Sequence, residues 1–159
     1  MNPQNAFHCG PLARTHRSPR GRTTLLIGSM LLAQALIIVS AQGKTTLDGV
    51  YTEAQAARGQ KIYADSCSGC HSDDLSGGGQ APALTGKDFN MDWIDLAMSD
   101  LFDRTSGTMP ADKPGTLKPD QAVDVIAYLL QKGGFPAGQS ELPSDSTALK
   151  GIKFVAPKP

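Results

Sequence analysis

Three side chains with ligand or covalent chemistry stand together in the segment Cys67-Ser68-Gly69-Cys70-His71. The C-x-x-C-H spacing is typical of covalent c-type haem attachment. Two thiols three positions apart can reach the two vinyl groups on one edge of a porphyrin and form thioethers. The histidine directly after the second thiol is then held against the iron as an axial ligand. The segment therefore predicts one covalently bound haem c, with Cys67, Cys70 and His71 among its binding residues.

Other uses of a C-x-x-C pair fit the surrounding sequence less well. A thioredoxin-like redox pair stands at a strand-to-helix junction, whereas this pair ends a predicted helix. A structural zinc site needs four ligands, typically as two separated pairs, and residues 42–159 contain no second cluster of cysteine or histidine. A disulfide between Cys67 and Cys70 would close a very small, strained loop. Haem attachment is the interpretation that the residue types and spacing favour.

The second axial ligand of such a haem has to come from another part of the chain. His71 is the only histidine after residue 41, and the methionines there are Met91, Met98 and Met109. Met98 falls on the apolar face of a predicted helix, where core packing is the simpler role, and Met91 falls at the start of that helix. Met109 lies in a predicted loop, from which a thioether can approach the far side of a haem. We expect His71 and Met109 to bind the metal.

Composition indicates one small globular domain. The chain has 159 residues, of which 40% are apolar and 19% charged, and its formal net charge is zero. One domain of ordinary composition is expected from that length. There is no basic surplus of the kind that marks a nucleic-acid-binding protein, so nucleic acid is not an expected partner.

The N-terminal residues have the pattern of an export signal. Residues 1–22 contain four arginines and no acid, and an apolar run of 15 positions follows over residues 25–39. Val39-Ser40-Ala41 then supplies compact residues for a signal peptidase. We expect a signal peptide over residues 1–41 and a periplasmic protein exported through the general secretory path. An uncleaved membrane anchor remains the alternative, although 15 positions are fewer than the roughly 20 that span a bilayer.

Three predicted helices must position the ligands. Thr52 and Gln55 form a capping box that starts the first helix, in which Gly59, Tyr63 and Cys67 share one face. The second helix starts at Asn90 or Asp92, and its apolar stripe consists of Ile94, Ala97, Met98, Leu101 and Phe102. The third helix begins at Pro119, runs to about Lys132 and stops at Gly133-Gly134.

The remaining segments are predicted to be irregular. Residues 72–86 and 105–118 are interpreted as loops that are rich in glycine and proline. Residues 133–159 show no periodicity and form an extended tail that packs on the body or contacts a partner. We expect an apolar haem pocket built from Leu84, Trp93, Leu101, Phe102 and Leu129. For Trp93, donation of its N–H to a haem propionate and simple core packing both remain open.

Over about residues 56–132 the chain resembles the class I c-type cytochromes of the bacterial periplasm. The matching residues are Gly59, Tyr63, Cys67-Ser-Gly-Cys-His71, Pro82, Leu84, Gly86, Thr108-Met109-Pro110 and the segment 124–129. The resemblance implies an all-α cytochrome c fold, in which three main helices over residues 42–132 surround one covalent haem. It also implies that Gly59 and Tyr63 meet Val125 and Tyr128 where the first and last helices cross, and that the Pro82 carbonyl accepts a hydrogen bond from the His71 ring.

The same resemblance implies an electron carrier rather than an enzyme. Its partners would be redox proteins, with a dehydrogenase as electron donor and an oxidase or another cytochrome as acceptor. Residues 135–153 and the middle helix are also similar overall to small cytochromes associated with quinoprotein dehydrogenases, so a cytochrome subunit of a dehydrogenase complex is the alternative. A haem sensor or peroxidase-like protein, in which Met109 leaves the iron, is a third hypothesis. A membrane would be a partner only if the leader were uncleaved.

Overall fold

A computed structural model describes residues 43–79 and 81–158, so the predicted signal peptide lies outside the described residues. The described chain is mostly helical, in agreement with the predicted class. Its elements in order are β1 (Lys44–Thr45), α1 (Glu53–Ser66), α2 (Ser68–His71), α3 (Gly86–Trp93), α4 (Met98–Thr108), α5 (Pro119–Lys132), α6 (Ser146–Leu149) and β2 (Ile152–Lys153). In this described part, no helix is both long enough and apolar enough to cross a membrane.

The crossing of α1 and α5 is the centre of the fold. A Cβ added at Gly59 would lie 1.8 Å from the backbone oxygen of Asp124, so only glycine lets the two backbones approach this closely. The rings of Tyr63 and Tyr128 pack beside this contact with centroids 5.4 Å apart. The crossing that the resemblance implied is therefore present, and it fixes the orientation of the helix that leads into Cys67.

The start of α1 and both ends of α5 lie close to their predicted positions. The Oγ1 atom of Thr52 accepts a hydrogen bond of 3.1 Å from the backbone N–H of Gln55, which starts α1. The Gln55 side chain does not complete the capping box, because its Nε2 donates to the Leu142 carbonyl and its Oε1 accepts from the Leu142 N–H. α5 begins at Pro119 and ends before Gly133-Gly134, as predicted.

The predicted second helix is two helices, so its predicted apolar stripe is partly wrong. Asp95 has a φ of 68° and interrupts the chain between α3 and α4. Ile94 is 49% exposed, whereas Met98, Leu101 and Phe102 are buried as expected. A long-range contact explains the interruption, since Phe154 donates its N–H to the Leu96 carbonyl and accepts from the Asp95 N–H. α4 continues to Thr108, which corrects the expectation of a loop from residue 105.

The tail after α5 is more regular than the sequence suggested. It contains α6 and β2, and β2 pairs in parallel with β1. Its buried side chains are Phe135, Leu142, Leu149, Ile152 and Phe154. Arg58 of α1 also bridges Asp124 of α5 and Glu141 of the tail at 2.8–2.9 Å. Of the two roles considered for this segment, packing on the body is the one observed.

Candidate functional site

The C-x-x-C-H segment forms a helical turn that continues α1. The Cys67 N–H donates to the Tyr63 carbonyl at 2.9 Å, and the Cys67 carbonyl accepts from the N–H groups of Cys70 and His71. Both thiols are free; Cys67 is half-buried and Cys70 is exposed. The turn therefore presents two unpaired thiols and an imidazole within five residues, and it does not stand at a strand-to-helix junction.

The environment of Cys67 also disfavours dithiol redox chemistry. Burial, reinforced by the nearby Cys70 thiol, raises the pKa of Cys67 to about 11. The reactive cysteine of a redox dithiol needs a lowered pKa, because the thiolate is the nucleophile. A free thiol at Cys67 would therefore be protonated at neutral pH.

His71 is buried, and its ring orientation is fixed. Its Nδ1 lies 2.8 Å from the Pro82 carbonyl oxygen, so the contact between these two predicted residues is present. A carbonyl can only accept, so Nδ1 carries the proton of this hydrogen bond, and in the neutral imidazole the lone pair is then on Nε2. A second-layer acceptor of this kind holds a histidine in the tautomer that binds a metal through Nε2.

Two features around the motif hold the loop that brings Pro82 to His71. The Tyr63 hydroxyl donates to the Ser72 carbonyl at 2.6 Å, and burial raises the pKa of Tyr63 to about 12, so the donor proton is retained. Gly77 has a φ of 79° and donates its N–H to the His71 carbonyl. A Cβ at Gly77 would come within 2.6 Å of the Ala81 oxygen, so the predicted loop requires glycine at this position.

A cavity of about 720 Å³ opens beside the motif and brings the predicted ligands together. Cys67, Cys70, His71, Pro82 and Met109 all line it. This volume lies in the range of about 300–1,000 Å³ that is typical of ligand sites. Met109 directly follows α4, and its N–H donates to the Thr105 carbonyl at 3.2 Å.

The other two methionines of the described residues are elsewhere. Met98 is completely buried in the core, and Met91 is 60% exposed; neither lines a cavity that contains His71. Met109 is thus the methionine that shares a cavity with the motif.

A second cavity of about 330 Å³ shares His71 and Met109 with the first, and leucine and aromatic side chains form part of its wall. Four of the five predicted pocket residues line it, namely Leu84, Trp93, Leu101 and Leu129. Phe102 is buried but does not line either cavity.

The sequence analysis missed Phe89, Arg104 and Thr105, which also line these cavities. Arg104 is the only lysine or arginine among the described residues that line the two cavities, and Asp92 and Asp112 line them as well. The sequence feature that could have indicated Arg104 was its spacing, three residues after Leu101 and five before Met109.

The donor set fits a haem c. One cavity is lined by the thiols of Cys67 and Cys70, the imidazole of His71 and the thioether of Met109. The hydrogen bond of Nδ1 to Pro82 leaves Nε2 of His71 as the nitrogen that could bind a metal. The sequence profile of the family described as cytochrome c oxidase, cbb3-type, subunit III matches residues 54–129, which are 76 of the chain's 159 residues. Residues 54–129 are a class I c-type cytochrome domain.

Further comparisons give the extent of similarity to other proteins. The cytochrome is similar to a chain of the sulfane dehydrogenase SoxCD from Paracoccus pantotrophus, with 24% sequence identity and a TM-score of 0.44. The match covers 55% of this cytochrome and 52% of that chain, so it spans about half the length of the solved structure. No curated protein matches the sequence. The cytochrome c domain implies haem binding and a role in electron transfer.

Proposed function

We propose that this protein is a periplasmic electron carrier with one covalently attached haem c. In this proposal Cys67 and Cys70 form the two thioethers, and Nε2 of His71 and the sulfur of Met109 bind the iron. The observation that carries the proposal is the convergence of these four residues on one cavity. The bound haem would supply a one-electron couple between ferrous and ferric iron.

The chain's own residues would attach the haem and would favour electron transfer over substrate binding. Each cysteine would add its S–H across one vinyl double bond, which involves no net oxidation and therefore needs no oxidant. The Pro82 carbonyl keeps Nδ1 of His71 protonated. The soft thioether of Met109 favours ferrous iron and raises the potential relative to a harder donor. If His71 and Met109 both bind the iron, no position would remain for a substrate, and outer-sphere electron transfer is the reaction that such a site would support.

Haem attachment is tested on secreted protein made in a host that attaches haem c. Denaturing electrophoresis and intact mass should show one haem that stays with the polypeptide. The double variant Cys67→Ser with Cys70→Ser should lose it, and Ser68→Ala, which changes a residue between the two cysteines but no thiol, should retain it as a matched control. Unmodified thiols at Cys67 and Cys70 in the secreted wild type would overturn the proposal.

Two alternatives share this haem site and differ in measurable properties. A cytochrome subunit of a dehydrogenase complex would copurify with a large partner, and an exposed groove described below favours this second candidate. A haem sensor or peroxidase-like protein would show a high-spin spectrum or bind added ligands without denaturant. Because Met109 lines the same cavity as His71, both residues would be available to hold the iron, which supports the electron carrier instead.

Export is the remaining part of the proposal. The arginine-rich, then apolar, then small-residue order of residues 1–41 supports a signal peptide. Protein from the periplasmic fraction should begin at Gln42 by N-terminal sequencing. An intact leader that remains with the membrane fraction would support the anchor alternative.

A further inference from the structure

A groove runs beside the face of α3 that is turned away from the haem cavities. It has a volume of about 580 Å³. We call it the α3 groove, and it is lined by Gly86, Lys87, Asn90, Met91, Ile94, Gly133, Ala156, Pro157 and Lys158. The opposite face of α3 carries Phe89 and Trp93, which line the apolar haem cavity. A molecule in the α3 groove would therefore leave the cavity that contains Cys67 and Cys70 free.

The α3 groove has an exposed apolar floor. Lys87, Asn90, Met91 and Ile94 recur at spacings of three and four, so they share one face at the edge of α3. Met91 is 60% exposed and Ile94 is 49% exposed, and both rank among the most exposed large apolar side chains of the described residues. Adjacent exposed apolar side chains in a concave surface are typical of an interaction site.

One residue of the α3 groove has a buried polar atom without a hydrogen-bond partner. The Oδ1 atom of Asn90 is buried and has no hydrogen-bond partner, and no other buried side-chain nitrogen or oxygen of the described residues lacks one. Buried polar atoms in folded proteins are almost always paired. The lining of the α3 groove therefore includes a polar group whose hydrogen-bonding capacity is not met within the described residues.

The charge of the α3 groove contrasts with that of the domain around it. Residues 1–42 contain four of the chain's 15 basic residues and none of its 15 acids, so residues 43–159 have a formal net charge of −4. The groove lining nevertheless includes Lys87 and Lys158 and no acid. Two lysines beside exposed Met91 and Ile94 are complementary to a chain that combines carboxylates with apolar side chains.

We propose that the α3 groove docks an acidic, apolar segment of a partner protein. The leader of this chain is a poor occupant because its four arginines would meet the groove's lysines as like charges. Docking at this face would hold the cytochrome on its partner while the haem cavities stay open for electron exchange. The proposal extends the proposed function but does not depend on which protein donates or accepts electrons.

The test uses the secreted holoprotein labelled with ¹⁵N and a short synthetic peptide of alternating glutamate and leucine. Titration should shift the amide signals of residues 86–94 and those of Ala156 and Lys158. A peptide with lysine in place of glutamate should bind about tenfold more weakly or not at all, because it repels Lys87 and Lys158. Ile94→Asp should weaken the glutamate peptide by about tenfold or more, since burial of a large apolar side chain contributes at least that factor.

Matched controls separate this result from misfolding and from failure of the haem proposal. Leu47→Asp changes another exposed apolar residue and should bind the peptide like the wild type. All variants should keep the haem spectrum of the wild type, so a loss of peptide binding is independent of haem attachment. Equal binding of both peptides, binding that Ile94→Asp leaves unchanged, no signal shifts, or an Ile94-dependent dimer in sedimentation would each overturn the proposal.

Discussion

The ring of Phe154 packs edge-on against the ring of Phe89, with centroids 6.1 Å apart and planes inclined by 75°. Phe89 lines the apolar cavity that also contains His71 and Met109. Phe154 belongs to the tail, beyond the residues that the family profile matches. Its backbone also pairs with Asp95 and Leu96 in the link between α3 and α4. The tail therefore supports one wall of the haem cavity from behind.

Phe154→Ala is expected to weaken both the fold and the hold on Met109. Loss of a buried phenylalanine typically costs about 3–5 kcal/mol of unfolding free energy. Because Phe89 would lose its support, the methionine-to-ferric-iron charge-transfer band should disappear at a lower urea concentration than global unfolding. Urea titrations followed by this band and by far-UV circular dichroism measure the two events. Phe154→Leu should restore most of the stability and most of the resistance of the charge-transfer band to urea. If the two titrations of Phe154→Ala coincide, the tail has only a structural role.

Gly59→Ala is expected to destabilise the protein strongly. The new Cβ would lie 1.8 Å from the Asp124 oxygen, so α1 and α5 would have to move apart. Overpacking of this kind costs about 1–3 kcal/mol or more. Gly107→Ala in α4 is the matched control, because nothing lies within 4 Å of its added Cβ. That helical substitution should stabilise by about 0.5–1 kcal/mol. Equal thermal midpoints for the two variants would contradict the close crossing.

Local sequence patterns predicted the parts of the site that depend on short spacings. Short sequence motifs predicted the C-x-x-C-H turn and the start of α5 at Pro119. The family resemblance predicted the contact of His71 with Pro82. The break after Ile94 was not predictable in this way. It depends on hydrogen bonds from Phe154, about sixty residues later, which pull Asp95 and Leu96 out of helical geometry.

The short helix and strand of the tail were not predicted for the same reason. Gln55 looked like the second half of a capping box, but its amide pairs with both backbone groups of Leu142. The Gln55 side chain satisfies the backbone of Leu142 as a neighbouring strand would. This kind of pairing produces no periodic pattern in the sequence of the tail. Long-range pairing of isolated polar groups therefore limited the sequence analysis more than helix propensity did.

The Arg58–Glu141 ion pair predicts a small acid sensitivity in the attachment of the tail. Hydrogen bonding from Arg58 holds the pKa of Glu141 below its ordinary value. A lowered pKa in the folded state contributes stability above the unfolded value, and this contribution is lost as the pH falls through the folded pKa. Because the pair is exposed, the contribution should be only a few tenths of a kcal/mol, within the roughly 0–1 kcal/mol of surface pairs.

Thermal unfolding of Glu141→Gln tests this assignment. The variant should be slightly less stable than the wild type at pH 7, and the difference should vanish at pH values well below 4.5. Lys150→Gln removes an exposed tail charge without a described ion pair and serves as the control. A difference that persists unchanged at low pH would assign the effect to packing rather than to the ion pair.

Met109→Ala should remove the second axial ligand and leave the haem attached. The charge-transfer band should be lost, and the potential should fall by on the order of 0.1 V or more, since axial ligands tune haem potentials over roughly 0.8 V. Met98→Leu and Met91→Leu are the controls, because Met98 is packed in the core and Met91 lies on the outer face of α3. Both should keep the band and the potential. Retention of the band in Met109→Ala, or its loss in either control, would move the ligand role to another methionine.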